Sequence, residues 1–490
     1  MPSKPIPVID LFAGPGGLGE GFSKVAKGAA FKVVVSIEKD QATHKTLRLR
    51  SFYRALLSGL GSARKRLPPE FLVFLKAKNK KEQDVALKAL SEKFPKEWEH
   101  ADSEALCLTL GEQNREINGR IREALRKNLD KNHKDWVLIG GPPCQAYSLV
   151  GRSRTGNHDG MKKDPRQMLY KEYLGILRRY KPTVFVMENV KGINSAKVAG
   201  VCILPRIEKD LRRSGYTLQT LSHAPSSDTD YLLKADDYGV PQTRHRVIII
   251  GRRKDRRVKR LNPLRPLDEI VTTFHAINDL PHLAALHSDD SAKNIGKKAG
   301  APFGSFRKTP RGGLHPALKK FTSPPCQELT KVVLNHEARS HMESDLKRYQ
   351  WWSETAAMQM KGERSPNLDD IPAHKRKALL PNHANLKSGR PKVFADRFKV
   401  QVSKKPSGTI TSHISKDGHY YIHYNPTQAR SFSVREAARI QTFPDDYFFM
   451  GNRTQQYHQV GNAVPPYLAY QIGQRVWEVL KDNFYKKNRF

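Results

Sequence analysis

Val8-Ile9-Asp10-Leu11-Phe12-Ala13-Gly14-Pro15-Gly16-Gly17-Leu18-Gly19-Glu20-Gly21-Phe22 reads as a strand, a glycine-rich turn and the start of a helix. Such a turn fits a nucleotide-like cofactor at the first switch of a Rossmann-type sheet. The next apolar run, Phe31-Lys32-Val33-Val34-Val35-Ser36-Ile37, ends at Glu38, an acidic residue placed to accept hydrogen bonds from ribose hydroxyls. A tight βα connection without a ligand would use the same glycines. The order strand, loop, helix, strand, glutamate favours cofactor binding, without separating NAD from S-adenosylmethionine. The expected fold class is therefore α/β, a doubly wound sheet with helices on both faces.

Working outward, Trp136-Val137-Leu138-Ile139 reads as a short buried strand ending at Gly140-Gly141-Pro142-Pro143-Cys144-Gln145. Two prolines hold Cys144 on a rigid turn, where a thiolate can reach a substrate. A third run, Pro182-Thr183-Val184-Phe185-Val186-Met187, delivers Glu188-Asn189-Val190 to a strand end. Carboxyl ends of parallel strands line the crevice of open α/β sheets, so Cys144 and Glu188 can face one pocket. Asn189 also suits a helix N-cap. A fourth run, Val247-Ile248-Ile249-Ile250, follows Gln242-Thr243-Arg244-His245-Arg246. Two arginines in alternation point the same way and can hold an anion or a carbonyl, or simply pair at the surface.

These segments, in this order, resemble the DNA cytosine-carbon-5 methyltransferases. Asp10 to Phe22 looks like their cofactor loop, Gly140 to Ser148 like their nucleophile loop, and Glu188-Asn189-Val190 like their catalytic-glutamate motif. Gln242 to Arg246 is similar to their arginine motif. Arg435-Glu436-Ala437-Ala438-Arg439-Ile440-Gln441-Thr442-Phe443-Pro444 and Gln459-Val460-Gly461-Asn462-Ala463-Val464-Pro465-Pro466 look like the two closing motifs. The resemblance covers residues 1–50, 135–255 and 405–480.

The resemblance implies a Rossmann-like, S-adenosylmethionine-dependent methyltransferase sheet with a smaller, loop-rich target-recognition domain. It implies that the Cys144 thiolate adds at cytosine carbon 6, activating carbon 5 toward the methyl group of S-adenosylmethionine. Glu188 would hold or protonate ring nitrogen 3, Arg246 would contact the carbonyl oxygen and steady Glu188, and Arg244 would support that shell. The base must leave the duplex stack, and Ser148 to Gly160 is expected to close over it. Cofactor contacts carried over are Phe12, Gly14, Gly16, Gly17, Leu18, Glu38, Pro142, Asn462 and Val464. Lys39 stands where relatives often place an aromatic, and the acidic residue near the adenine has no evident counterpart. The implied role is the modification enzyme of a type II restriction-modification pair, with a restriction endonuclease as functional partner. An RNA cytosine methyltransferase and a catalytically silent DNA-binding relative are the alternatives; intact Cys144, Glu188 and Arg246 speak against the silent one.

Composition agrees with a nucleic-acid partner. Lys and Arg number 86 against 48 Asp and Glu, a formal net charge of +38 over 490 residues, which favours polyanions such as double-stranded DNA. No apolar run is long enough to span a membrane, and the N-terminus lacks a secretory pattern. Four cysteines suggest a reducing, cytoplasmic setting rather than a disulfide framework. A monomer is expected.

The expected organisation is a catalytic domain over 1–255, a recognition domain over 256–404 and a return to the catalytic domain over 405–490. Within the first, 51–134 reads as a helical insertion packed on the sheet, with a supplementary DNA-contacting face as the alternative: Phe71, Leu72, Phe74 and Leu75 share one helix face, and Ile117, Ile121 and Leu125 another. Region 256–404 reads as irregular and would supply base-reading side chains. Asn335-His336-Glu337-Ala338-Arg339-Ser340-His341 lacks further ligands at zinc spacing. Ser323-Pro324-Pro325-Cys326-Gln327-Glu328 repeats the Pro-Pro-Cys-Gln string without its strand or glycines, so Cys326 reads as an incidental loop residue. Cys107 and Cys202 read as helical core.

Overall fold

The computed structural model describes residues 4–60, 66–77, 79–129, 134–143, 168–198, 200–227, 229–287, 305–306, 314–380, 398–416 and 418–486. Cys144 and the Ser148 to Gly160 segment lie outside the described residues.

The five apolar runs read from the sequence become strands of one sheet, which three short strands not read from it complete. In chain order the strands are β1 (Ile6–Leu11), β2 (Phe31–Ile37), β3 (Ala105–Leu106), β4 (Val137–Gly140), β5 (Val184–Val190), β6 (Tyr216–Gln219), β7 (Leu232–Lys234) and β8 (His245–Arg253). The runs supply β1, β2, β4, β5 and β8. Their order is β3-β2-β1-β4-β5-β8-β6, with β7 also paired to β8. The pairs from β3 through β5 are parallel, and β8 runs antiparallel to its three neighbours. The chain thus leaves β1 toward β2 on one side and reaches β4 on the other, which makes the ends of β1 and β4 the switch point.

Both faces of this sheet are covered, which is why its strands are apolar without alternation. Ile9, Leu11, Leu138, Phe185, Met187, Val247 and Ile249 face one helical layer. That layer comprises α6 (Asn114–Asn128), α7 (Met168–Tyr180) and α8 (Ile203–Arg213). Val8, Val33, Val137, Ile139, Val184, Val186, Ile248 and Ile250 face α1 (Gly17–Ser23) and α14 (Pro466–Lys486). Of the C-terminal segment, α14 packs on this sheet.

The stretch 51–134 divides between two environments. The helices α2 (Gln41–Gly59), α3 (Pro69–Lys76), α4 (Lys80–Lys93) and α5 (Pro95–Glu104) form a satellite core of their own. Phe71, Phe74 and Leu75 are buried there as one face of α3. By contrast, β3 joins the sheet edge, and Ile117, Ile121 and Leu125 of α6 pack on the sheet itself.

Region 256–404 holds α9 (Thr273–Ile277), α10 (Pro316–Thr322) and the long α11 (Glu343–Met358) among irregular segments. Tyr349, Trp352 and Ala356 of α11 pack with Phe398, Val400 and Val402. The closing helices α12 (Val434–Ile440) and α13 (Arg453–Asn462) share a core with α9.

The cysteines depart from the sequence reading. Cys326 is fully buried between the satellite helices and Phe448 and Met450, so its Pro-Pro context anchors a core contact. Cys107 is exposed in the loop after β3, and Cys202 is half-buried at the start of α8. Around Cys107 the neighbours Leu106 and Leu108 are buried while the cysteine is not, and beside Cys202 Val201 is itself exposed. No helix among the described residues is long and apolar enough to cross a membrane.

Candidate functional site

The strand register sets three loop starts side by side. Leu11 pairs with Gly140 and Gly140 with Met187, so Phe12 and Gly141, just past β1 and β4, and Glu188, near the end of β5, lie within about 10 Å, two strand spacings.

The first loop depends on its glycines in distinct ways. Gly16 adopts φ 92 as the N-cap of α1, a left-handed conformation that side chains disfavour. At Gly17, a β-carbon would lie 2.1 Å from the Val464 carbonyl oxygen, so these two residues touch as packing partners. Gly14, at φ 56, has open space where a side chain would stand, and its amide donates to Glu38 Oε2 at 3.0 Å. Glu38 Oε1 accepts the Asp40 amide at 2.8 Å. Burial raises the Glu38 pKa, against the pull of those two amides. Phe12, at φ 56, is half-buried against the sheet core, whereas the Leu18 side chain lies within the apolar core under the loop. Leu18 and Val464 therefore offer a ligand backbone atoms only.

At the neighbouring strand ends, Arg246 Nε lies 2.9 Å from Glu188 Oε1, with 13% and 14% of the two side chains exposed. Burial lowers the Arg246 pKa, and Glu188 opposes that shift. A β-carbon at Gly141 would stand 2.7 Å from Glu188 Oε2, so the second glycine makes room for the carboxylate. Asn189 belongs to β5 rather than capping a helix, and its Nδ2 donates to the buried Pro142 carbonyl at 3.1 Å. That bond ties the loop after β4 to the strand carrying Glu188. A carboxylate held by one guanidinium, with lone pairs left over, can hold or move a proton on a bound ring.

Arg244 is placed differently from Arg246, although only two residues separate them. Its guanidinium donates to the backbone carbonyls of Ile410 at 2.6 Å, Ala463 at 2.8 Å and Gly461 at 3.3 Å. Burial, with Arg246 adding to it, pushes its pKa well down. Arg244 precedes β8, where the chain is clasped to the closing segment: Gln242 Oε1 accepts the Ile410 amide at 3.0 Å, and Thr243 N donates to Ser407 O at 2.9 Å. Arg244 thus holds carbonyl oxygens, one of the uses that its alternation with Arg246 suggested, and Arg246 and Glu188 both act on its charge. Asn462 is exposed at the end of α13, beside His458.

Sequence reading passed over two groups beside this site. Asp10, on β1, is fully buried, and burial pushes its pKa up to about 8 against the pull of the Gly19 amide. Glu20, on α1, forms a bidentate pair with Arg50 of α2 at 2.9 and 2.6 Å, and Arg50 reaches Asp446 at 3.2 Å. Lys24, which caps the end of that helix, donates to Phe321 O of α10 at 2.8 Å. Charged residues 30 to nearly 400 positions apart carry no joint signal in a single sequence. His336 and His341 serve as buried hydrogen-bonding groups: His336 meets Ser433 Oγ and the Pro281 carbonyl, each at 2.8 Å, and His341 meets Ser431 Oγ at 3.1 Å. No metal-binding group of His, Cys, Asp or Glu occurs among the described residues.

Residues 94–478 match the family model described as C-5 cytosine-specific DNA methylase. The chain is 34% identical to the type II methyltransferase M.Bpa9945I of Bacillus paralicheniformis, covering 96% of this chain and 99% of that one. It is 31% identical to the type II methyltransferase M.DdeI of Desulfomicrobium norvegicum over 69% and 72% of the two chains. A solved E. coli prophage-encoded protein, described as a DNA modification methyltransferase, shares the fold with a TM-score of 0.58 at 20% identity, covering 97% of this chain.

Proposed function

The chain belongs to the C-5 cytosine-specific DNA methylase family, and on that premise we propose that it methylates carbon 5 of a cytosine flipped out of a specific duplex sequence. The observation that carries this reading is the Glu188–Arg246 pair at 2.9 Å, beside Gly141 at the sheet's switch point. The donor would be S-adenosylmethionine, which supplies a methyl group on a sulfonium centre when bound. The residues fit such a group: Gly14 leaves open space, and each Glu38 oxygen keeps a lone pair for a ribose hydroxyl. Phe12, Gly14, Gly16, Gly17, Leu18, Glu38, Pro142, Asn462 and Val464 would hold it.

Cys144 would add as thiolate to cytosine carbon 6, breaking the 5,6 double bond and passing charge to the ring. Glu188 would offset that charge by protonating ring nitrogen 3. Arg246, holding Glu188 in place, would donate to the carbonyl oxygen. Carbon 5 is then nucleophilic enough to accept the methyl group. Loss of its proton would expel Cys144 and restore the aromatic ring. Arg244 would act at one remove, by holding the closing segment against the site. Region 256–404 would read the duplex, the enzyme would act as a monomer in a bacterial cytoplasm, and a restriction endonuclease would cut the unmodified sequence.

Purified protein and a Cys144→Ala variant, given labelled S-adenosylmethionine with duplex DNA and total tRNA in parallel, test this. Label in DNA as 5-methylcytosine, abolished by the substitution, is expected. Label confined to tRNA overturns the DNA reading, and tight DNA binding without label overturns the catalytic one.

A further inference from the structure

Three turns meet at the end of the sheet away from the candidate site. Arg178 Nε, near the end of α7, lies 3.0 Å from Ser214 Oγ in the turn between α8 and β6. Arg253 Nη1, at the end of β8, donates to the Lys181 carbonyl at 2.6 Å, and the Lys254 amide donates to the Gly215 carbonyl at 2.9 Å. The turns therefore form one continuous surface. Arg252 pairs with Val184 at the start of β5, and Arg246 with Val190 at its end. That separation is six strand steps, about 20 Å.

The surface is strongly basic. Arg178, Arg179, Lys181, Arg212, Arg213 and Lys254 are all exposed, and none takes part in a salt bridge among the described residues. The nearby acids are engaged elsewhere: Asp255 with Arg253 Nη2 at 2.9 Å, Asp135 with Thr183 Oγ1 at 2.8 Å, and Asp210 with Tyr170. Arg212 is hydrogen-bonded to the neutral Tyr231, near Glu208. Gathering six exposed cations without a salt bridge at adjoining helix ends and turns costs stability through mutual repulsion, and phosphates spaced along a duplex would relieve it. This face lies at the opposite end of β5 and β8 from Glu188 and Arg246.

We propose that this face is a second, sequence-independent DNA surface, which holds the phosphate backbone of a duplex segment other than the one being methylated. The inference rests on duplex DNA being the substrate. It predicts that one protein molecule joins two duplexes.

The test uses the full chain and a variant carrying Arg178→Ser, Arg179→Ser, Arg212→Ser and Arg213→Ser. Protein loaded on a biotinylated duplex is offered a second, fluorescent duplex of unrelated sequence. The unaltered protein is expected to capture it, and the variant to lose about tenfold or more of that capture. Affinity of the variant for long DNA should also depend less on salt, by about 2 to 4 in the logarithmic slope. Methyl transfer to a short single-site duplex at saturation should not change, which also certifies the variant's fold. Equal capture by both proteins overturns the proposal. A parallel loss of turnover on the short duplex overturns it too, because the face would then belong to the substrate's own path. Binding of the unaltered protein to phosphatidylserine vesicles, without capture of a second duplex, would assign the face to a membrane surface instead. Capture without any methyl transfer would leave this surface standing while removing the proposed activity.

Discussion

Glu188 with Arg246 and Glu20 with Arg50 are the same chemical pair in two settings. The first has a single contact at 2.9 Å and keeps 14% and 13% of its side chains accessible. The second is bidentate, is 1% and 6% accessible, and is extended by Asp446 and by the rings of Tyr53 and Tyr447. Burial raises the Glu20 pKa, but the guanidinium of Arg50 outweighs it and holds the carboxyl well below its usual range. In the inner pair both Glu20 oxygens are bonded to Arg50 and shut away from solvent, so the pair fixes the positions of α1, α2 and the closing segment. In the outer pair the second Glu188 oxygen, Oε2, stands beside Gly141 and stays partly accessible. Incomplete satisfaction, rather than the residue types, separates a group that can do chemistry from one that holds the fold.

The comparison breaks most easily at Glu188. Replacement by Gln keeps the shape and removes the proton-holding group, so methyl transfer should fall about 10²- to 10⁴-fold with the melting temperature almost unchanged. Steady-state turnover and thermal unfolding on the same sample decide it; a large loss of stability would mean that the outer pair is structural after all.

The reverse pattern is expected for Arg50→Met. It leaves Glu20 and Asp446 buried without their cation, which should cost about 3–5 kcal/mol of stability. Urea unfolding measures this, and an unshifted midpoint would show that the inner network is dispensable.

Gly141→Ala sharpens the contrast further. Its β-carbon would stand 2.7 Å from Glu188 Oε2, so the carboxylate must shift. Turnover should drop about tenfold through misplacement alone, with little effect on unfolding. Wild-type turnover in this variant would show that the carboxylate has room to move.

The smallest effect concerns pH and belongs to the structural side. Burial pushes the pKa of His336 down to about 4, and those of His341 and His423 to about 3. The unfolded chain therefore binds protons below about pH 6.5 that the folded one refuses. Their contribution to stability is complete above that pH and drains away as pH falls toward 4. Each histidine should cost about 1 kcal/mol by pH 6. Melting temperatures between pH 7.5 and 5 should fall accordingly, and less steeply in a His341→Asn variant.

Much of this was legible in the chain itself because it is local. A run such as Val184 to Met187 must be a buried strand, and a turn such as Gly14 to Gly17 must bring backbone close to something. The spacing of Phe71, Phe74 and Leu75 marks a helix face by period alone. Where the chain alone was silent or misleading, the deciding contacts were distant. Arg244 lies two residues from Arg246 yet serves the carbonyls of Ile410 and Ala463. Cys326 looks like a loop residue until Phe448 and Met450 close over it.

The sequence by itself determined the strands, the glycine turns and the identity of the groups at the strand ends, because local sterics and hydrophobic period act over a few residues. Only the tertiary structure decided which charges are spent on the fold and which remain available. That depends on whether a partner 30 or 400 residues away arrives to complete the shell, as Arg50 and Asp446 do around Glu20. It also decided that six separate basic residues share one face, since three turns far apart in the chain meet only when the sheet is assembled.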